Sequence, residues 1–179
     1  MALLPVLLVL TTANLSAEEG QRIAVLDLGK VLINSLAMQD IDRQLKTADQ
    51  KLKTDVQAQE QTFREEQQKL NEQRAILAPE VFRQKVDDLN RKGASYRNDY
   101  QKKVQQLARS RSVAIRKIEK TMEPIVSDIA NAVGATMIVE KSNIIFGVKS
   151  LNISDEVIKR LNTQLKSLKL EIVPLSQAN

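Results

Sequence analysis

From Ile41 onward, apolar side chains recur at steps of three, four or seven, at Ile41, Leu45, Ala48, Leu52, Val56, Phe63, Leu70 and Leu77, with mostly polar residues between them. The spacing predicts a long helix with one narrow apolar stripe. A second run follows the same rule through Phe82, Val86, Leu89, Tyr96, Tyr100, Leu107, Ala114, Ile118, Met122, Ile125 and Ile129. Pro79 lies between the two. A proline fixes its own φ, lacks an N–H and pushes the preceding residue out of the α region, so Ala78 should end one helix and Pro79 open the next.

If the chain reverses there, residues facing each other across an antiparallel pair have numbers summing to about 159. Leu77 then meets Phe82, Leu70 meets Leu89, Phe63 meets Tyr96, Leu52 meets Leu107, Leu45 meets Ala114 and Ile41 meets Ile118. Six apolar pairs in one register predict a helical hairpin with arms about 57 Å long at 1.5 Å per residue. The same register sets Glu66 against Gly93, Ala48 against Arg111 and Gln59 against Tyr100. The middle of the arm therefore lacks continuous apolar contact, and Gly93 lowers helix stability by about 1 kcal/mol relative to Ala.

Outside the arms the pattern changes. Ile23 to Leu26 read as a strand, with a turn at Asp27 to Gly29. Gly134 supplies a stop for the second arm helix near Val133. "TMIVE" and "IIFGV" then read as two strands joined through "KSN" as a hairpin. In "NISDEVIKRLNTQL", Ser154 reads as an N-cap, Asp155 and Glu156 suit the first turn, and Val157, Ile158, Leu161 and Leu165 form the apolar face of a last helix. The tail from Leu168 to Val173 suits either a strand or a frayed terminus. Three short strands and one helix bury little and leave open edges, so self-association is expected.

Composition sharpens this picture. With 27% charged residues, three Phe, two Tyr and no Trp, the chain has little material for a wide core. The absence of Cys removes disulfides, thiolate chemistry and a lipid-anchored cysteine, and the absence of His removes the commonest general base and metal ligand. No catalytic residue, metal ligand or cofactor site is expected, and the mature chain is expected to be soluble. Residues 1–17 open with an uncharged stretch whose apolar run from Leu3 to Leu10 is too short to span a bilayer, so it reads as a signal peptide cleaved after Ala17, with Ala13 as the alternative. The net charge of +5 is concentrated at residues 101–120, where Lys102, Lys103, Arg109, Arg111, Arg116, Lys117 and Lys120 face Glu119 alone. This run reads either as a solvated helix face or as a surface that attracts acidic partners.

The exported start, "IAVLDLGKVL" leading into a long helix, the tip at "LAPEVF" and the run "ATMIVEKSNIIFGVKSLNISDEVIKRLN" resemble the Skp (OmpH) family of periplasmic chaperones over about Arg22 to Leu165. The resemblance implies a homotrimer with a shared β body and helical arms around a cavity, in which unfolded outer-membrane β-barrel proteins are held without ATP. The fold class expected is mixed α+β, a long antiparallel coiled-coil hairpin projecting from a small strand body completed by oligomerisation. The divisions are a signal peptide at 1–17, the first body segment at 18–40, arm helix one at 41–78, arm helix two at 79–123 with its tip at 78–80, the rest of the body at 124–167 and a tail at 168–179.

In that frame the basic residues steer clients. The arm seam comprises Leu45, Leu52, Phe63, Leu70, Leu77, Phe82, Leu89, Tyr96, Leu107 and Ile118. Ile23, Val25, Ile138, Ile145 and Val148 form the oligomer body. An anionic lipid or lipopolysaccharide surface is a further partner compatible with the basic arm. Nucleic-acid binding is not expected, because no aromatic residues interleave with the basic ones as stacking platforms. A periplasmic adaptor or envelope-binding structural protein is the competing class.

Overall fold

The computed structural model describes residues 21–175, so the signal-peptide reading lies outside the described residues. The element order is β1 (Ile23–Leu26), α1 (Leu28–Asn34), α2 (Leu36–Glu72), α3 (Pro79–Ala132), β2 (Met137–Glu140) and α4 (Ser154–Gln164).

The turn expected at Asp27 to Gly29 is instead the start of a helix. The Asp27 carboxylate accepts the Lys30 N–H at 2.8 Å, a side-chain cap that satisfies one of the free donors of the first turn. Ser35 then separates α1 from α2. Its backbone is extended (ψ 135°), and its buried hydroxyl accepts the Met38 N–H at 3.2 Å while donating to the Leu32 carbonyl at 2.9 Å. The long helix therefore begins at Leu36, not at Ile41.

At the far end, α2 tightens into a 3-10 turn over Gln73–Ala75. Ala78 is extended (φ −58°, ψ 141°), as a residue before proline should be, and Pro79 occupies the first position of α3. The Phe82 N–H returns to the Ala78 carbonyl at 3.0 Å. Helix α3 continues past residue 123 into the body, as the stop expected near Val133 implies, and carries Pro124 in its interior. It ends where Gly134 takes a left-handed φ of +67°, and the Ala135 N–H bonds to the Ala130 carbonyl at 2.8 Å. That 6→1 bond with glycine at the turning point is a Schellman stop.

The body differs from the three-strand expectation. Its sheet has two strands, β1 and β2, paired in parallel with Ile23 opposite Met137 and Leu26 opposite Glu140. The "KSN" segment is a single 3-10 turn, and Ile144 to Val148 form no strand. The hairpin fails because one short 3-10 turn does not bring 144–148 back along β2, whose available neighbour is β1. On the other side of β1, Val25 forms a parallel bridge with Asn152, and the Ile153 N–H donates to the Val25 carbonyl at 2.9 Å.

The core is largely helical. Val31, Ile41, Ile118, Val157 and Leu161 are fully covered, joined by Ala24, Met38, Met122 and Ile125, so α1, α4 and the roots of α2 and α3 enclose it. Ser154 is not the cap of α4; Ile153 holds the N-cap position. The buried Ser154 hydroxyl instead accepts the Asp27 N–H at 2.8 Å, and Asn152 Oδ1 accepts the Ser154 N–H at 2.9 Å. The start of α1 is thus tied to the start of α4 through one hydroxyl.

The tail takes neither form expected of it. Residues 168–175 run extended along the roots of α2 and α3 as a strap, with Leu168 and Leu170 packed against the core.

Candidate functional site

Among the described residues, three surfaces are candidates for contact with other molecules: the arm, its basic root, and the apolar side of the body.

Helix α3 returns along α2, but the two share little apolar contact. Between residues 53 and 109 the buried positions are Leu70 and Gly93. Of the expected seam, Leu52, Leu70 and Ile118 are buried, whereas Leu45, Phe63, Leu77, Phe82, Leu89, Tyr96 and Leu107 are half-covered. Several side-chain partners across the arm differ from the expected ones, although Leu70 and Leu89, Phe63 and Tyr96, and Leu77 and Phe82 still line common clefts. Glu66 forms an ion pair with Lys92, and the Phe63 ring lies over Gly93 where Tyr96 had been expected. Arg111 reaches Asp42 at 3.5 Å, not Ala48. Gly93 has no β-carbon, and the Phe63 ring occupies the space this leaves. The Glu66 hydrogen bond holds the Lys92 ammonium above its ordinary pKa, and that ammonium lies 5.8 Å from the centre of the Tyr96 ring. Val56, Phe63, Tyr96 and Tyr100 line an open crevice of about 620 Å³ around this point.

The seven basic residues do not act as one set. Lys117 pairs with Glu171 of the strap at 2.8 Å, Arg109 donates to the Leu175 carbonyl at 3.3 Å, and Arg111 pairs with Asp42. Lys102, Lys103, Arg116 and Lys120 are exposed. The Lys117 hydrogen bond, aided by its charge, keeps Glu171 below the usual carboxylate range.

Two polar residues absent from the sequence-derived set organise this region. Gln44 donates from Nε2 to the Leu168 carbonyl at 2.8 Å and to Asp40 at 3.0 Å, while its Oε1 accepts the Leu170 N–H at 2.9 Å. Ser110, only 1% exposed, accepts the Val173 N–H at 2.9 Å and donates to the Gln106 carbonyl at 2.7 Å. The signal for Ser110 was its place on the apolar stripe, one turn before Ala114; nothing in the pattern distinguished Gln44.

On the body, Ile23, Ile138, Ile145 and Val148 are exposed, Ile145 fully, and Phe146 beside it is 88% exposed. Val25, expected with them, is buried inside the chain beneath the Asn152 bridge. Among the described residues, no group of three or more His, Cys, Asp or Glu is placed to hold a metal ion, and no helix is long and apolar enough to cross a membrane.

Comparison with known proteins gives three results. A search of curated sequences finds no match. Among solved structures, a candidate outer membrane chaperone (OmpH-like) from Caulobacter crescentus CB15 superposes with a TM-score of 0.82 at 15% identity, covering 88% of this chain and 94% of that one. At that identity the likeness shows the fold. The family model described as Outer membrane protein (OmpH-like) matches residues 22–161, from the start of β1 to the buried Leu161 of α4, and stops short of the strap. The chain belongs to the OmpH-like family.

Proposed function

We propose that the protein is an ATP-independent holdase chaperone of the periplasm, a homotrimer that binds unfolded outer-membrane β-barrel proteins between its helical arms and keeps them from aggregating. The observation that carries this reading is the arm itself. Two helices of 37 and 54 residues leave a small body, and their middle stretch buries little beyond Leu70 and Gly93. So much half-covered apolar and polar surface on a slender support suits many weak contacts with a client of no fixed shape better than one specific lock. The solved relative named as a candidate outer membrane chaperone shares the fold, which supports the same class of function. Exposed Ile145, Phe146 and Val148 offer an apolar surface for the partner chains that a trimer requires. The reading is of a binding protein, not an enzyme.

Steering of acidic clients falls to Lys102, Lys103, Arg116 and Lys120, because Arg109, Arg111 and Lys117 already serve contacts within the chain. The test is to dilute a urea-unfolded outer-membrane β-barrel protein into the mature chain without ATP, measuring light scattering and the mass of the chaperone together. Suppressed aggregation by an assembly of three chains is the expected result; aggregation unchanged by a monomer overturns the reading. Replacing the four free basic residues by Gln should slow client capture about tenfold at low salt and leave the rate at 0.5 M salt unchanged.

A further inference from the structure

The strap is held in the way an extended peptide is held by a receptor. Gln44 reads both the carbonyl of Leu168 and the N–H of Leu170, and Ser110 reads the N–H of Val173, so three of its hydrogen bonds join side chains of the arm to main chain of the strap. Such bonds do not depend on the identity of the residue bound. Burial along the strap has period two on either side of one slip: Leu168 and Leu170, then Val173 and Leu175, are half-buried, whereas Lys169, Glu171, Ile172 and Pro174 are exposed. Its ion pair between Lys117 and Glu171 is half exposed on both sides and adds little holding power. The strap is also joined directly to α4, so it occupies the groove through high local concentration and needs no tight contact to do so.

We propose that the groove between the roots of α2 and α3 is a binding site for an extended polypeptide segment, and that residues 168–175 are its tethered, exchangeable occupant. The partner is a segment of an unfolded chain with alternating apolar and polar residues and an acidic residue placed over Lys117. Strands of membrane β-barrels carry this period-two pattern. The identity of the partner rests on the chaperone reading above; the exchange of the strap does not. The strap then acts as a threshold, because an incoming segment must out-compete a covalently tethered one, and a segment that succeeds frees Lys117 to face it.

The experiment uses the unmodified mature chain. Amide hydrogen exchange at Leu170 and Val173 is followed as a ten-residue synthetic peptide with the sequence of residues 166–175 is added to millimolar concentration. A control peptide has the same composition with its apolar residues grouped at one end. Displacement should speed exchange at both amides at least tenfold with the alternating peptide and leave it unchanged with the grouped one. Unchanged exchange with both peptides, or equal displacement by both, overturns the proposal. So does exchange that responds to protein concentration alone, which would assign the groove to the strap of a second copy.

Val173→Pro gives an independent measurement, since it removes a donor from the strap and leaves the groove side chains in place. The labelled alternating peptide should bind this variant at least tenfold more tightly than the unmodified chain, and adding Gln44→Ala should abolish the gain. Equal affinity for variant and unmodified chain, with helix content preserved by circular dichroism, counts against the groove. Aggregation suppression by the unmodified chain is scored separately, so failure of the chaperone reading and failure of the groove are told apart.

Discussion

A β-carbon at position 93 would stand 3.1 Å from Cε2 and 3.2 Å from Cζ of Phe63, closer than side chains ordinarily pack. Against that crowding stands the gain of about 1 kcal/mol from replacing a mid-helix glycine by alanine. Phe63 is half-covered at the edge of an open crevice, so its ring can yield by the few tenths of an ångström required. Gly93→Ala should therefore raise the urea midpoint, by up to about 1 kcal/mol of stability; a lower midpoint would mean the ring is pinned. Ser154 gives the opposite case. Its buried hydroxyl is the partner of the Asp27 N–H, and Ser154→Ala should cost about 1–3 kcal/mol in chemical denaturation by leaving that donor unpaired. The neighbouring ion pair has a pH signature. The hydrogen bond from Lys141, followed by that from the Lys30 N–H, holds the Asp27 carboxyl below its ordinary value, and the Asp27 hydrogen bond raises Lys141. The Asp27 contribution is complete above an unfolded pKa of about 3.9 and is lost as pH falls through the lower folded value. The Lys141 contribution is complete below an unfolded pKa of about 10.4 and is lost as pH rises through the raised folded value. The stability gap between the unmodified chain and Asp27→Asn should be flat between about pH 5 and 9 and shrink beyond either end; a gap that does not vary with pH removes the pair from the account.

Helix α3 runs through Pro124, which cannot donate to the Lys120 carbonyl one turn back. Buried Met122 and Ile125 flank it, so the helix tolerates the lost bond where the body grips it. Pro124→Ala restores the donor at a cost in unfolded-chain entropy, and should raise stability by about 1–2 kcal/mol as read from the thermal midpoint. A fall would show that the shape proline imposes is what seats Ile125 and Ile129. At this scale much was legible in advance. The reversal at Pro79, the stop at Gly134 and the strand Ile23–Leu26 follow from short-range rules, and the structure contains each. The misreadings share a cause too. "MIVE" and "IIFGV" have equal strand character, but whether two such runs pair depends on tertiary context, and β2 pairs with β1, more than a hundred residues away. The strap escaped because bonds from side chains to main chain leave no periodic trace. The contact of Phe63 with Gly93 escaped because a rule that counts only apolar positions does not see the gap a glycine leaves.

The molecule as a whole is a narrow limb on a small, mostly helical base with an apolar side left open. Ile145 and Phe146 touch little within one chain, so if they join the subunits of the proposed trimer, Ile145→Asp with Phe146→Asp should leave the circular dichroism spectrum unchanged while the mass in solution falls to that of a single chain. If the double variant keeps its full mass, that run does not join the subunits. The parallel pairing of β1 with β2 sets the order in which this shape can be made. Arg22 bonds to Thr136 across 114 residues of chain, and β1 has nothing to pair with until the entire limb has been synthesised. Helices and their neighbours assemble from local contacts quickly, whereas joining the two ends is the slow, non-local step. The first residues made must wait for nearly the last. The sheet thus works as a completeness check: a chain whose synthesis stops anywhere in its limb lacks β2, and it leaves β1 without the partner strand it pairs with in the finished molecule.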